Sequence, residues 1–136
     1  MNLVSVRIIA ADVGPMVRFY ERITRLPATI YTDDFAELAT PACTLAIASA
    51  RTLHPFGAEL ARPADNHTAI IEFRVENVDA EFDHLRETFK DAIVQAPTTM
   101  PWGNRSMLLR DPDGNLVNFF APVTIEAIRK FDGRRS

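Results

Sequence analysis

A pattern that recurs at a fixed interval constrains a chain more than any single motif, and this one recurs at an offset of 65 residues. That offset lays Ser5 on Ile70, Asp12 on Asn77, Val13 on Val78 and Tyr20 on Leu85. Each half opens with a β-type run, residues 3–10 and 70–75. In the first run, alternation sets Val4, Val6, Ile8 and Ala10 on one face, with Val6 and Ile8 to be buried beneath helices, and Ser5, Arg7 and Ile9 on the other. Asp12 and Asn77 then stand where a helix cap belongs, each with a side-chain oxygen that can accept from the orphan amides of a first turn. Apolar residues at helical spacing follow: Met16, Val17, Tyr20 and Ile23 in one half, Val78, Phe82, Leu85 and Phe89 in the other. Shorter strand runs come next, residues 28–31, 35–40 and 43–49 in the first half and a short run at 93–95 in the second. The expectation is a β-α-β-β-β unit used twice.

The second unit ends in the clearest local signal of the chain, PWGNRSMLLRDPDGNLVNFF from Pro101 to Phe120. Two β-type runs, residues 105–110 and 116–121, flank Asp-Pro-Asp-Gly-Asn. Asp111 can bond forward to the backbone, Pro112 presets φ for a turn, and Gly114 accepts a left-handed conformation at no steric cost. A type I turn followed by a glycine bulge, closing a tight antiparallel hairpin, is expected. A last helix is expected from Thr124.

One α+β domain over residues 1–136 is therefore expected. It divides into a first unit at 3–49, a linker at 50–67 with at most one helical turn, a second unit at 68–122, and a C-terminal helix and tail at 123–136. A net charge of −3 with no basic stripe argues against nucleic acid as a partner. No run approaches the roughly 18 apolar residues of a membrane span, and no signal-type apolar segment opens the chain, so a cytoplasmic protein without a membrane partner is expected. The single cysteine, Cys43, rules out an internal disulfide, and its apolar surroundings read as those of a buried, inert thiol.

Three stretches together resemble the vicinal oxygen chelate superfamily of glyoxalases, bleomycin-resistance proteins and extradiol dioxygenases. They are Asp12 with Phe19-Tyr20, FRVENVDA from Phe73, and PWGNRS with DPDGN. The resemblance implies that the two mostly antiparallel sheets form a curved, half-open cleft, and that the protein is a homodimer. It also implies where a divalent metal would be held in enzymes of that type. Those positions fall on Ser5, Ile70, Asn118 and the stretch 46–48, which lack the His and Glu donors such a site needs. The histidines His54, His67 and His84 lie elsewhere, so no metal and no cofactor are expected.

The alternation that directs Arg7 and Ile9 to the open side also directs Ile70, Glu72 and Arg74 there, with Asn118 and Phe120 from the last strand. One reading is an internal ion-pair network of Arg7, Glu72 and Arg74. Another leaves an arginine free to clamp an anionic ligand oxygen, with Glu72 as a general base. Trp102 reads either as a flat ring covering one side of an apolar ligand or as a core tryptophan closing the open end of the sheet, with Arg105 beside it in the loop that resembles the metal-free bleomycin-resistance proteins. Phe35, Tyr31 and Phe56 could line the same groove or serve as packing. The ligand-binding set is thus Arg7, Ile9, Arg74, Trp102, Arg105, Asn118 and Phe120, with Glu72 the candidate catalytic group. A metal-free dimer that binds a partly aromatic or anionic small molecule is the leading reading. A metal-independent isomerase, lyase or hydrolase using Glu72 with Arg7 or Arg74 comes second, and a metal-dependent enzyme with displaced ligands third.

Overall fold

The computed structural model describes residues 1–57 and 60–132, and in it the repeat resolves into two four-stranded sheets. One compact unit comprises Met1–His67 together with Asp111–Asn115, and the other Thr68–Arg110 with Leu116–Ser136.

The first unit runs β1 (Ser5–Ala10), α1 (Val13–Thr24), β2 (Thr29–Thr32), β3 (Phe35–Ala39) and β4 (Thr44–Ser49). The sheet order is β1-β4-β3-β2, with β1 parallel to β4 and the other pairs antiparallel. Helix α1 packs on β3 and β4, burying Met16, Val17, Tyr20 and Ile23 against the face that carries Ala36, Leu38, Leu45 and Ile47. Two expectations fail here. The Asp12 side chain makes no capping bond; the Asp12 carbonyl instead accepts from the Met16 amide at 3.4 Å, and Asp113 Oδ2 accepts from the neighbouring Ala11 amide at 2.9 Å. Val6 is not buried either, but 45% exposed. β1 has β4 as its single neighbour while α1 covers β3 and β4, so the first half of β1 lies outside the helix's cover and burial begins at Ile8. Cys43 is half-buried in the turn before β4. The linker contains a 3-10 helix over Ala50–Phe56, longer than a single turn and opened by Ser49 Oγ accepting from the Arg51 amide.

The second unit repeats the plan with β5 (Ile70–Arg74), α2 (Val78–Leu85), β6 (Ile93–Thr99), β7 (Asn104–Arg110) and β8 (Leu116–Pro122), in the order β5-β8-β7-β6. β5 is parallel to β8 and the remaining pairs are antiparallel. Asn77 Oδ1 accepts from the Ala80 amide at 3.0 Å, so here the cap does form. Helix α2 stops at Leu85, short of Phe89, although the Phe89 amide still donates to the Leu85 carbonyl at 2.8 Å. β6 runs to Thr99, well past residue 95, through Pro97. An edge strand with two register shifts tolerates a residue that donates no ladder bond. Val78, Leu85, Met107, Leu109, Val117 and Phe119 form the core on the α2 side.

The Asp111–Asn115 turn has the geometry its residues imply. The Gly114 amide donates to the Asp111 carbonyl at 2.9 Å, the Asp111 amide to the Asn115 carbonyl at 3.0 Å, and Gly114 has φ +82°. Helix α3 (Ile125–Asp132) closes the described chain, with Thr124 Oγ1 accepting from the Ala127 amide at 3.2 Å. Among the described residues no helix is long and apolar enough to cross a membrane.

Candidate functional site

Strand register decides which side chains share a face. In the second sheet Glu72 lies beside Asn118 and Asn118 beside Leu108; one step along, Arg74 lies beside Phe120 and Phe120 beside Ser106. Because the period is two, all of these project from the face opposite α2. Four sequence-predicted residues, Glu72, Arg74, Asn118 and Phe120, are thus brought together.

Asn118 Nδ2 donates to Glu72 Oε2 at 2.8 Å. A carboxylate only accepts, so this bond fixes the amide orientation and leaves Asn118 Oδ1 facing away. That oxygen is buried without a hydrogen-bond partner in a residue that is 9% exposed. An unmatched acceptor in such a place costs free energy, and surfaces made for packing alone avoid it.

Among the described residues Arg74 does not pair with Glu72, so within the second unit the ion-pair reading is not met. Strand geometry gives Glu72 to Asn118, while Arg74 turns to α3. Its guanidinium carbon lies 5.6 Å from the centre of the Phe131 ring, and Nη2 stands 3.9 Å from Asp132 Oδ1. Phe131 also packs on Phe120, centroids 5.3 Å apart. Next to Arg74 a cavity of about 400 Å³ is lined by Arg74, Val75, Glu76, Ala121, Pro122 and Ile128. That volume lies within the range of small-molecule sites.

Arg105 departs from its expected place. Its row partner is Ala121, which puts it on the α2 side of the sheet. There its Nε and Nη2 fork onto the two carboxylate oxygens of Asp79 at 2.7 and 2.8 Å, with Nη1 on Thr99 Oγ1 at 3.1 Å. This hydrogen bonding holds the Asp79 carboxyl below its ordinary range. Trp102, in the turn before β7, is 67% exposed.

In the first unit, Arg7 and Ile9 occupy the face opposite α1. Arg7 neighbours Ala46, itself beside Glu37, and Ile9 neighbours Ala48, itself beside Phe35. Tyr31 packs on Phe35 with centroids 5.8 Å apart, and its bond to Glu37 raises the Tyr31 phenol above its usual range. Phe56 is exposed in the 3-10 helix. Among the described residues Arg7 forms no ion pair.

The positions that would hold a divalent cation do not fit one. Ser5 and Ile70 start their strands, Asn118 offers a neutral amide oxygen in place of a carboxylate, and residues 46–48 are Ala-Ile-Ala. Among the described residues no three of His, Cys, Asp or Glu converge. The groups missed by sequence reasoning are Phe131 and Asp132. Their place at the end of an amphipathic helix was legible, but the strand face that the helix returns to was not.

A family model described as Glyoxalase/Bleomycin resistance protein/Dioxygenase superfamily matches residues 2–119. Among solved structures, a glyoxalase/bleomycin resistance protein/dioxygenase family enzyme from Burkholderia phytofirmans PsJN is 16% identical with a TM-score of 0.77, covering 90% of this chain and 100% of that one. A glyoxalase/bleomycin resistance protein/dioxygenase from Nocardioides is 18% identical, TM-score 0.74, covering 92% and 85%. A lactoylglutathione lyase from Agrobacterium tumefaciens is 17% identical, TM-score 0.68, covering 88% and 92%. At these identities the likeness is one of fold. A comparison with curated proteins finds no match.

Proposed function

The chain belongs to the glyoxalase/bleomycin resistance protein/dioxygenase superfamily, and within it we propose a metal-free, dimeric, cytoplasmic protein that binds a small, partly aromatic or anionic molecule. The observations that carry this reading are a cavity of about 400 Å³ bordered by Arg74, and, on the face where Arg74 lies beside Phe120, an Asn118 Oδ1 that lacks a partner. A cation beside an aromatic ring holds a flat or anionic ligand, and a buried acceptor orients it through one N–H or O–H. Within the second unit Trp102, 67% exposed, would add apolar cover; Arg7 and Ile9 are candidate ligand contacts on the open face of the first unit. The residues at the family's metal positions supply too few donors for oxygen-chelate chemistry.

Glu72 keeps a metal-independent enzyme as the second reading, because its carboxylate is on the same face and exposed, where it could take a proton from a bound ligand. A thermal-shift screen of small aromatic and anionic compounds in the presence of a chelator tests the proposal. Compounds that stabilise the wild type and fail with Arg74→Gln support it. A library with no stabilising compound, or ligands indifferent to Arg74→Gln, would sink it.

A further inference from the structure

The last turn of α3 sits on the proposed site with two chemical groups in place, a phenyl ring on Phe120 and a carboxylate facing Arg74. We infer that Phe131 and Asp132 are an internal occupant of that site, and that its ligand is an aromatic carboxylate which displaces them. This rests on the binding reading above and adds the ligand class and the competing segment.

The two ends of α3 are held differently. Its beginning is fixed. The Val123 and Thr124 amides donate to the Gly103 carbonyl at 2.9 and 3.3 Å, and Ala127 is buried. Gly103 has φ +93°, and a Cβ there would run into Thr124 Oγ1. The far end is built differently. Arg74 and Asp132 stand 3.9 Å apart with side chains 32% and 56% exposed, so the pair is neither bidentate nor sheltered and contributes little. A free carboxylate could approach the guanidinium in the shorter two-bond geometry that Asp132 does not reach. Phe120 is 8% exposed with Phe131 packed on it, so a ring must replace that cover when the helix end moves. A ligand with a ring alone would leave Arg74 without its anion, and one with an acid alone would uncover Phe120. Both groups on one molecule satisfy both. The cavity beside Arg74, walled on the α3 side by Ile128, gives such a molecule room next to the guanidinium.

Phenylacetate and its neutral analogue phenylacetamide, titrated into the full chain by NMR, test this. An internal competitor lowers apparent affinity by the fraction of time that it fills the site, so Phe131→Ala should bind phenylacetate about tenfold more tightly than wild type. Asp132→Asn, at an exposed position that leaves folding intact, should tighten phenylacetate about twofold and leave phenylacetamide unchanged. Arg74→Gln should abolish the preference for acid over amide. Phenylacetate should also shift the wild-type amide resonances of residues 126–132. Phenylacetate binding that is weakened or unchanged in Phe131→Ala, absent from it, or no stronger than phenylacetamide binding in wild type overturns the inference. If uncharged library compounds still bind in an Arg74-dependent manner, the inference fails alone. If nothing binds to any variant, the binding reading fails with it.

Discussion

The Tyr20 hydroxyl donates to Asp111 Oδ2 at 2.7 Å, a buried bond between residues 91 positions apart. The same carboxylate accepts from Asn115 Nδ2 at 2.8 Å and, through Oδ1, from the Asp113 and Asn115 amides at 2.9 Å each. Tyr20 thereby binds the 111–115 turn to α1 inside the first unit. Tyr20→Phe keeps the ring and removes one donor to a buried charge, which should lower unfolding free energy by about 1.5–3 kcal/mol. Denaturant melts of the two proteins measure it.

The same bond sets an alkaline limit. Burial, then the Asp111 charge and hydrogen bond, push the Tyr20 phenol far above its ordinary value of 10.0. A group whose folded value is raised contributes fully below the unfolded value and loses that contribution as pH climbs past it. Stability should therefore fall above about pH 10, and Tyr20→Phe should flatten that limb of the pH profile.

An acid limit comes from Arg105 and Asp79. Asp79 is lowered from 3.8 by its hydrogen bonds to Arg105. A lowered carboxylate contributes above its unfolded value and loses the contribution as pH falls through its folded one. Melting temperature should drop below about pH 4, and less steeply in Asp79→Asn. Equal slopes in the two proteins would show that the pair is silent.

Gly103→Ala probes the anchoring of α3. The positive φ and the collision with Thr124 Oγ1 act together, and a strained backbone position alone costs about 1–3 kcal/mol. A destabilised protein with altered α3 amide signals is expected. A wild-type melt with unchanged spectra would mean that the contact yields freely.

Much of the architecture was legible because its signals are local. Asp12 and Asn77 precede helices that start at Val13 and Val78, and the turn residues from Asp111 to Asn115 each dictate their own backbone. Period-two alternation also grouped Glu72 with Arg74 and Asn118 with Phe120. What it does not encode is which groups meet. Arg105 was read with the loop before it, yet one residue of register sends it to Asp79, 26 positions away. Val6 alternates like a core residue but lies in the exposed first half of its edge strand. Phe131 finds Phe120 and Arg74 only once α3 has folded back.

Glu72→Gln separates binder from enzyme. A glutamine oxygen can still accept from Asn118 Nδ2, so the fold and ligand affinity should stay within about twofold of wild type, the scale of a surface substitution. A turnover that disappears while binding persists would make Glu72 catalytic.

The proposal that the site works without a metal is tested most directly by elemental analysis of the purified protein, paired with thermal melts in chelator and in added Zn, Mn, Fe or Ni. A cation that binds only the folded chain must stabilise it by mass action. The expected result is far less than one metal per chain and no change in melting temperature with any ion. A stoichiometric metal whose removal lowers the melting temperature would contradict the account and return oxygen-chelate chemistry to this chain.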